Sequence, residues 1–263
     1  MKPQYARAKQ DLALGLTDWP MWGRLGWADV RRRYRRTLIG PFWTSISMSV
    51  FVLALGVVWS TLWHQPLSTY LPFLCAGLIV WSFIATTISE SCTLFVMQES
   101  LIKQIRFEYS MLASAAVWRN LIVFFHNLVV YVIVALVFQP PVNLNTLLMV
   151  PGLALVAINL AWVAMLGGLF TARFRDIQQL INMVMQIALF VTPVFWDPDQ
   201  LQSHPIMFQA NPLFHLVDVV RTPLLGAAPH MLSYVMVSLM AIVGWLVTFD
   251  LYSRFRRRLP YWL

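Results

Sequence analysis

Long apolar stretches separated by short polar turns dominate the chain. No Asp, Glu, Lys or Arg occurs at positions 37–89 or at positions 120–172. Because one bilayer crossing takes about 20 apolar residues, each stretch has room for two crossings joined by a turn. The two turns are visible as His64-Gln65-Pro66 and Gln139-Pro140-Pro141.

This pattern predicts an all-α integral membrane protein with six transmembrane helices. The predicted spans are 38–62, 70–97, 110–138, 146–171, 177–196 and 230–252. They divide the chain into a cytoplasmic interface segment at 1–37, a transmembrane domain at 38–252 and a basic tail at 253–263.

Composition excludes an ordinary soluble protein. Hydrophobic residues make up 59% of the chain and charged residues only 11%, whereas a soluble domain carries about 25% charged residues. Lys and Arg number 19 against 11 Asp and Glu. With six spans, every Lys and Arg except Arg221 falls on one side, so the positive-inside rule places both termini in the cytoplasm.

A helix start is predicted at Asp18 and Pro20, ahead of the first span. The apolar side chains that follow share one face, and most arginines lie on the other. The apolar set is Trp22, Trp27, Val30 and Tyr34, and the basic set is Arg24, Arg31, Arg32 and Arg35. The segment therefore predicts an amphipathic helix at the cytoplasmic interface, acting either as a lipid anchor alone or in a further role.

The segment 197–229 is rich in proline yet strongly apolar. Asn211 and Pro212 resemble a helix cap followed by a first-turn proline, and Asp218 and Arg221 are three residues apart and can pair. The pattern predicts re-entrant helices before the last span, with a helix on the lipid surface as the alternative.

Polar residues inside spans are costly and point to function. Gln178, Asn182 and Gln186 recur every four residues and form one stripe, which must face another helix, a second subunit or a water-filled path. Glu90 is either a buried functional carboxylate or the partner of a basic residue at the inner interface.

Trp59 and Trp63 stand near the outer end of the first span. Aromatic belts account for most tryptophans at that depth. Aromatic rings also stack on sugar faces, so a sugar-conducting path is the alternative.

The motifs of nucleotide and metal sites are missing from the sequence. None of the lysines follows a glycine, as a phosphate-binding loop requires, and the histidines are scattered. Asp197-Pro198-Asp199 resembles a metal-binding Asp-x-Asp pair but lacks a supporting charged cluster. We therefore expect a chain that is not an enzyme, with no catalytic residue, metal site or cofactor of its own and no nucleic-acid partner.

Four blocks, in order and in register with the six spans, resemble the membrane subunits of type-2 ABC exporters for O-antigen, capsule or teichoic acid. The first block is Asp29-Val30-Arg31-Arg32-Arg33-Tyr34-Arg35-Arg36-Thr37-Leu38-Ile39-Gly40-Pro41-Phe42-Trp43. The others are Leu101-Ile102-Lys103, then Phe174-Arg175-Asp176-Ile177 with Thr192-Pro193-Val194, and finally Asn211-Pro212-Leu213. The resemblance covers nearly the whole chain.

The resemblance implies a permease that moves a lipid-linked polysaccharide across the bacterial inner membrane. It implies a homodimer with two copies of a separate cytoplasmic ATPase, which would bind ATP and Mg²⁺. A type-2 ABC exporter of a drug or another lipid, and an ion-coupled secondary transporter, are the alternatives.

The resemblance also implies roles for particular residues. Coupling to the ATPase falls to Glu99, Ser100, Leu101, Ile102 and Lys103. The cytoplasmic entrance is flanked by the helix that carries Trp22, Trp27, Arg31, Tyr34 and Arg35. The conduit or dimer seam involves Phe42, Trp43, Trp59, Trp63, Gln178, Asn182 and Gln186. The re-entrant helices with Asn211, Pro212, Asp218 and Arg221 cap the outer exit.

Overall fold

The structure, a computed structural model, describes residues 3–35, 37–40, 42–104, 107–198 and 206–263. Regular secondary structure in these ranges is helical throughout. The helices are α1 (Pro3–Thr17), α2 (Trp19–Tyr34), α3 (Phe42–Leu62), α4 (Leu67–Ser91), α5 (Glu99–Gln104), α6 (Ser110–Phe138), α7 (Met149–Arg173), α8 (Ile177–Val191), α9 (Ile206–Gln209), α10 (Pro212–Leu224), α11 (Met231–Phe255) and α12 (Leu259–Trp262). Short 3₁₀ segments lie at Val96–Gln98, Leu144–Leu148 and Arg256–Arg258.

Five helical segments of the described chain are long and apolar enough to cross a membrane. They are Phe42–Leu62, Leu67–Ser91, Ser110–Phe138, Leu144–Arg173 and Met231–Trp262. All five overlap predicted spans, which confirms an all-helical integral membrane protein. The second predicted span is wrong at its end, because α4 stops at Ser91 and a 3₁₀ turn follows.

The fifth predicted span corresponds to α8, a helix of only 15 residues. At about 1.5 Å per residue it is roughly 22 Å long, shorter than the hydrocarbon core of about 30 Å. The helix ends where Thr192 adopts an extended backbone, just before Pro193.

Both ends of the chain lie at the same end of the helix bundle. The carboxylate of Asp11 in α1 accepts a hydrogen bond from Ser110 Oγ at the start of α6, at 2.7 Å, and another from Arg256 Nε, just after α11, at 2.6 Å. We call this the basic end; it carries α1, α2, α5 and residues 256–263. The opposite end carries the turns at 63–66, 139–148 and 225–230.

The chain passes from the basic end to the opposite end between α7 and α11. Arg173 closes α7 at the basic end, where its guanidinium lies 5.3 Å from the ring centroid of Trp262. Shortly before α11, the carbonyl of Gly226 accepts a hydrogen bond from Asn143 Nδ2 at the opposite end, at 2.7 Å. Helix α8 is the element that leads across.

Helix α4 lies at the centre of the bundle, in contact with α3, α6, α7, α8 and α10. Its sequence is apolar on all sides, as expected for a helix surrounded by others, and side chains such as Leu74, Ile79 and Ile84 are fully buried. Helix α3 buries only one face, through Ser45, Val52, Gly56 and Ser60. The other helices therefore pack around α4, while α3 stands at the edge.

Helix α1 was not predicted from the sequence. It docks against α6 and α11 through Ala8 and Leu12, which are buried one turn apart. The cytoplasmic segment of the prediction is therefore two packed helices and not one.

Candidate functional site

Helix α2 lies against α6 through a close backbone approach at Gly26. A Cβ atom placed on Gly26 would lie 2.8 Å from the carbonyl oxygen of Ala115, closer than carbon and oxygen can pack. Val30, one turn later, is buried, and Trp22 packs edge-on against Trp118 with ring centroids 6.0 Å apart. A helix thus occupies the predicted place, docked on the bundle; its contact with a membrane stays a prediction.

The side chains predicted to flank the entrance fall into two groups. Trp22 and Tyr34 are half-buried against the bundle, whereas Trp27, Arg31 and Arg35 are exposed. The apolar face predicted for α2 is therefore only partly directed at the protein, because Trp27 points away from it.

Glu90, in the last turn of α4, joins three helices. Its Oε1 accepts a hydrogen bond from Arg33 Nη2 of α2 at 2.6 Å. Its Oε2 accepts from Arg119 Nη2 at 2.6 Å and from Asn120 Nδ2 at 3.0 Å, both on α6. Arg119 Nη1 also donates to Asp29 Oδ2 at 3.0 Å. Of the two alternatives for Glu90, the structure contains the ion pair with basic residues.

We call Asp29, Arg33, Glu90, Arg119 and Asn120 the Glu90 cluster. The side chains of Glu90 and Arg119 are only 21% and 15% exposed, so water screens their attraction less than it screens a surface pair. Burial acts to lower the pKa of Arg33, but the hydrogen bond and charge of Glu90 outweigh it and raise that pKa. The cluster therefore holds α2, α4 and α6 together by charge.

A cavity of about 650 Å³ lies between the Glu90 cluster and the segment that precedes α5. Asp29, Glu90 and Arg119 line one part of it, and Met97 and Ser100 line another. The interface helix and the predicted coupling segment thus border the same space.

The predicted coupling residues form α5, a short helix at the basic end. Ile102 is buried in a second apolar core together with Leu94 and Leu112, whereas Ser100 and Lys103 are exposed. Lys103 Nζ donates to Glu99 Oε1 at 2.6 Å, and this hydrogen bond lowers the pKa of Glu99. Ile102 thus anchors α5, and the accessible surface of the predicted coupling segment is carried by its other four residues; their contact with an ATPase stays a prediction.

Large apolar side chains are exposed on α3 and α8, the helices of the predicted seam. They include Phe42, Trp43 and Phe51 on α3 and Met183, Ile187 and Phe190 on α8. In the predicted polar stripe, Gln178 and Asn182 are half-buried and Gln186 is exposed. The stripe therefore borders the α8 surface that the described chain leaves uncovered.

Trp59 and Trp63 belong to an aromatic cluster at the opposite end. Their ring centroids lie 4.7 Å apart. Trp59 stacks on Phe195 at 6.5 Å, and Trp63 meets Tyr70 edge-on at 5.7 Å. The Tyr70 hydroxyl donates to the carbonyl of Phe195 at 2.7 Å, which fixes the chain just after α8.

Helix α10 is enclosed by protein, in contact with α4, α7 and α11. Asn211 caps it, with its side-chain oxygen accepting from Leu213 N at 2.9 Å, and Pro212 occupies the first turn as predicted. Val217 is fully buried and His215 is 1% exposed. The burial of this helix favours the re-entrant interpretation over a lipid-surface helix.

The expected pairing of Asp218 with Arg221 is replaced by other contacts. The guanidinium of Arg221 donates to the carbonyl of Pro193 and lies 4.4 Å from the ring centroid of Phe73. Asp218 accepts from Thr222 Oγ1 at 2.6 Å. Three-residue spacing permits a pair on an isolated helix, but here Arg221 is held by Pro193 and Phe73, while Asp218 bonds to Thr222 within α10 and accepts from His230 N at 3.3 Å.

Sequence reasoning missed the buried polar cluster around Asp11. Asp11 is 1% exposed and accepts from Tyr252 Oη at 2.8 Å as well as from Ser110 and Arg256. The sequence did contain a signal, because Asp11 shares one helical face with the apolar residues Ala8 and Leu12, and an acidic residue on a buried face needs a partner. Its partners lie far away in sequence, so periodicity alone could not supply them.

A match over most of the chain places it in a known class. The family described as "ABC-2 type transporter" matches residues 22–225. The chain belongs to this family, whose members are membrane transport subunits of ABC transporters.

Two curated relatives share most of the chain at low identity. An "O-antigen export system permease protein RfbA" of Myxococcus xanthus is 22% identical over 193 residues, which is 72% of this chain and 74% of the relative. A protein of the same description from Klebsiella pneumoniae is 19% identical over 222 residues, covering 84% of this chain and 85% of the relative. The family match over residues 22–225 includes most of α2, the helices from α3 to α8 and the buried helix α10, and it ends before α11.

Proposed function

We propose that this chain is the permease subunit of an ATP-driven exporter that moves a lipid-linked polysaccharide across the bacterial inner membrane. The observation that carries the proposal is the family match over residues 22–225 together with relatives named for O-antigen export. An exporter of a drug or another lipid, the alternative raised by the sequence, would have the same architecture. An experiment must therefore distinguish between these cargoes.

In this proposal the chain crosses the membrane six times, with both termini in the cytoplasm. Support comes from the position of α8, which leaves the basic end after Arg173, and of α11, which returns to it. The concentration of basic side chains at that end agrees with the positive-inside rule. The α10 segment would dip into the membrane from the outer side and cap the exit.

Energy would come from two copies of a separate ATPase that bind ATP and Mg²⁺ and press on α5. Ser100 and Lys103 are exposed there, and Ile102 ties α5 to the core. A push on α5 would pass through Ile102 into the core that it shares with Leu112 of α6, and the Glu90 cluster ties α6 to α2. The chain itself would act without catalytic residues.

Two copies of the chain would meet along α3 and α8. Both helices contact α4 and both expose large apolar side chains. In such a dimer the amides of Gln178, Asn182 and Gln186 would face the seam or the conduit, where they could find hydrogen-bond partners.

The test measures export in a bacterial strain whose own O-antigen permease gene is deleted. This chain is expressed in that strain together with the ATPase subunit that pairs with it. Surface glycan should return with the wild-type pair and stay absent when the ATPase carries an inactivated nucleotide site. Accumulation of lipid-linked glycan in the cytoplasmic leaflet with both pairs would overturn the proposal. Resistance to a drug without glycan export would favour the alternative cargo.

A further inference from the structure

A groove of about 530 Å³ lies within the part of the bundle nearest the basic end. Helices α3, α4 and α6 form its walls, and Arg33 and Tyr34 at the end of α2 cap it. It is distinct from the cavity beside α5, although Arg33 borders both. The groove therefore lies where a molecule from the cytoplasmic leaflet would first meet the spans.

The lining mixes aromatic rings with hydroxyl and amide groups. Such polar groups are expensive beside lipid and call for partners. The polar residues of the spans in this lining are Thr44, Ser47, Ser82, Thr86, Asn120 and Asn127. Trp43, Phe51 and Phe83 add aromatic surface.

Asn120 is the residue that points to a ligand. Its side chain is 2% exposed, and its Nδ2 donates to Glu90 Oε2 at 3.0 Å. A carboxylate only accepts hydrogen bonds, so the amide nitrogen must face Glu90 and the amide oxygen must face elsewhere. That oxygen, Oδ1, has no hydrogen-bond partner in the described chain.

A buried carbonyl oxygen without a hydrogen-bond donor costs free energy. A bound molecule that supplies a donor to Asn120 Oδ1 would remove this cost. The partner must carry an N–H or O–H group and fit a groove lined by aromatic rings and hydroxyls. A sugar meets these needs, since its hydroxyls donate and accept while its apolar face packs against rings. We infer that this groove binds the first sugar of the lipid-linked cargo, with Asn120 Oδ1 accepting from a sugar hydroxyl.

This inference rests on the proposed function and deepens it by naming a sugar subsite. The test uses the complete complex of permease and ATPase in lipid nanodiscs and measures equilibrium binding of two radiolabelled probes. One probe is a polyprenyl diphosphate carrying a single N-acetylglucosamine, and the other is the same polyprenyl diphosphate without sugar.

Wild-type complex should bind the sugar-bearing probe more tightly than the bare lipid. Asn120→Leu should weaken binding of the sugar-bearing probe about tenfold, the effect of one hydrogen bond, and leave the bare lipid unchanged.

A second pair of variants avoids buried positions. Thr86 is an exposed hydroxyl of the groove, and Thr86→Val should weaken the sugar-bearing probe about threefold by the same reasoning. Thr61→Val is its control, because Thr61 is exposed on α3 outside the groove and donates to its own helix at Val57 O. The control should bind both probes like wild type.

The inference is overturned if Asn120→Leu and Thr86→Val keep the wild-type preference, which would mean that Asn120 Oδ1 holds only water. Equal weakening of both probes also overturns it, because the groove would then recognise the lipid and not the sugar. A wild-type complex without any preference overturns it as well. The export assay in the deletion strain then decides separately whether the proposed function stands.

Discussion

Asp11 and Arg256, which lie near opposite ends of the chain, form a hydrogen-bonded ion pair with Oδ2 and Nε 2.6 Å apart. Asp11 is almost completely buried, and the Arg256 side chain is 25% exposed. Tyr252 donates to the same carboxylate oxygen at 2.8 Å. The pair therefore fastens α1 to the end of the last membrane helix.

Replacing Asp11 should destabilise the protein strongly. Asp11→Ala leaves Arg256, Tyr252 and Ser110 without their shared acceptor, and breaking a buried pair costs about 3–5 kcal/mol. Unfolding of purified protein in detergent, followed by tryptophan fluorescence, measures the loss. Asp250→Ala is the control: that carboxylate also reaches α1, accepting from Tyr5 Oη at 3.2 Å, but it is 41% exposed and pairs with Arg254 on its own helix, so about 0–1 kcal/mol is expected. Equal losses of unfolding free energy in the two variants would show that the buried Asp11–Arg256 ion pair does not stabilise the protein more than an exposed pair.

Two glycines of α2 give a matched test of its docking on α6. Gly26→Ala would place a Cβ 2.8 Å from Ala115 O and 3.0 Å from the Trp118 ring, whereas the nearest contact for Gly23→Ala is Trp19 at 3.9 Å. Overpacking costs about 1–3 kcal/mol, and replacing a helical glycine where a methyl group has room gains up to about 1 kcal/mol. The same unfolding assay should therefore find Gly26→Ala less stable than Gly23→Ala. The reverse order would mean that α2 is not held against the bundle.

Spans and their order followed from the sequence because lipid exposure leaves a strong signal in composition. Charge-free stretches fixed α3, α4, α6 and α7, and the third span has the predicted bounds, Ser110–Phe138. The short length of α8 was not foreseen, since Thr192 and Pro193 end the helix while apolar residues continue. Hydropathy detects the apolar residues that continue beyond Val191, but it does not detect the change in backbone conformation at Thr192 that ends the helix.

The site was predictable in its segments but not in its contacts. The position of Glu90 toward the cytoplasmic end of its span allowed two roles. Its partners Arg33 and Arg119 are far from it along the chain, so the choice between these roles needed the fold. Arg221 shows the same limit, because Pro193 and Phe73, both distant from it in sequence, contact its guanidinium in place of the pairing that helical spacing allows. Ile102 shared a motif with exposed residues, and only burial revealed it as an anchor.

The two arginines of the Glu90 cluster should differ in their coupling to Glu90. The Arg119 side chain is 15% exposed and that of Arg33 is 46% exposed, so water screens the second pair more. Double-mutant cycles with Glu90→Gln, Arg119→Gln and Arg33→Gln should give a coupling free energy of about 2 kcal/mol for Arg119 and below about 1 kcal/mol for Arg33. Similar values for both would show that burial does not govern the cluster.

Neighbouring residues of α5 should separate folding from coupling. Ile102 is 5% exposed, and Ile102→Ala should lower the free energy of unfolding by about 2–4 kcal/mol. Lys103 is exposed, so Lys103→Glu should leave the free energy of unfolding within about 0.5 kcal/mol of wild type. The same variant should abolish the stimulation of ATP hydrolysis that the permease gives to the ATPase in the assembled complex. Full stimulation with Lys103→Glu would remove α5 as the contact with the ATPase.

Thiol labelling tests the burial of α10 and the side on which it lies. Val217 is fully buried, whereas Val142, in the turn after α6, is 76% exposed at the opposite end. The natural cysteines, Cys75 and Cys92, are both buried, so background labelling should be low. A bulky impermeant maleimide added to intact cells should label Val142→Cys rapidly and Val217→Cys only after denaturation. Rapid labelling at both positions would mean that α10 lies open to water, and protection of both until the cells are broken would place the opposite end in the cytoplasm.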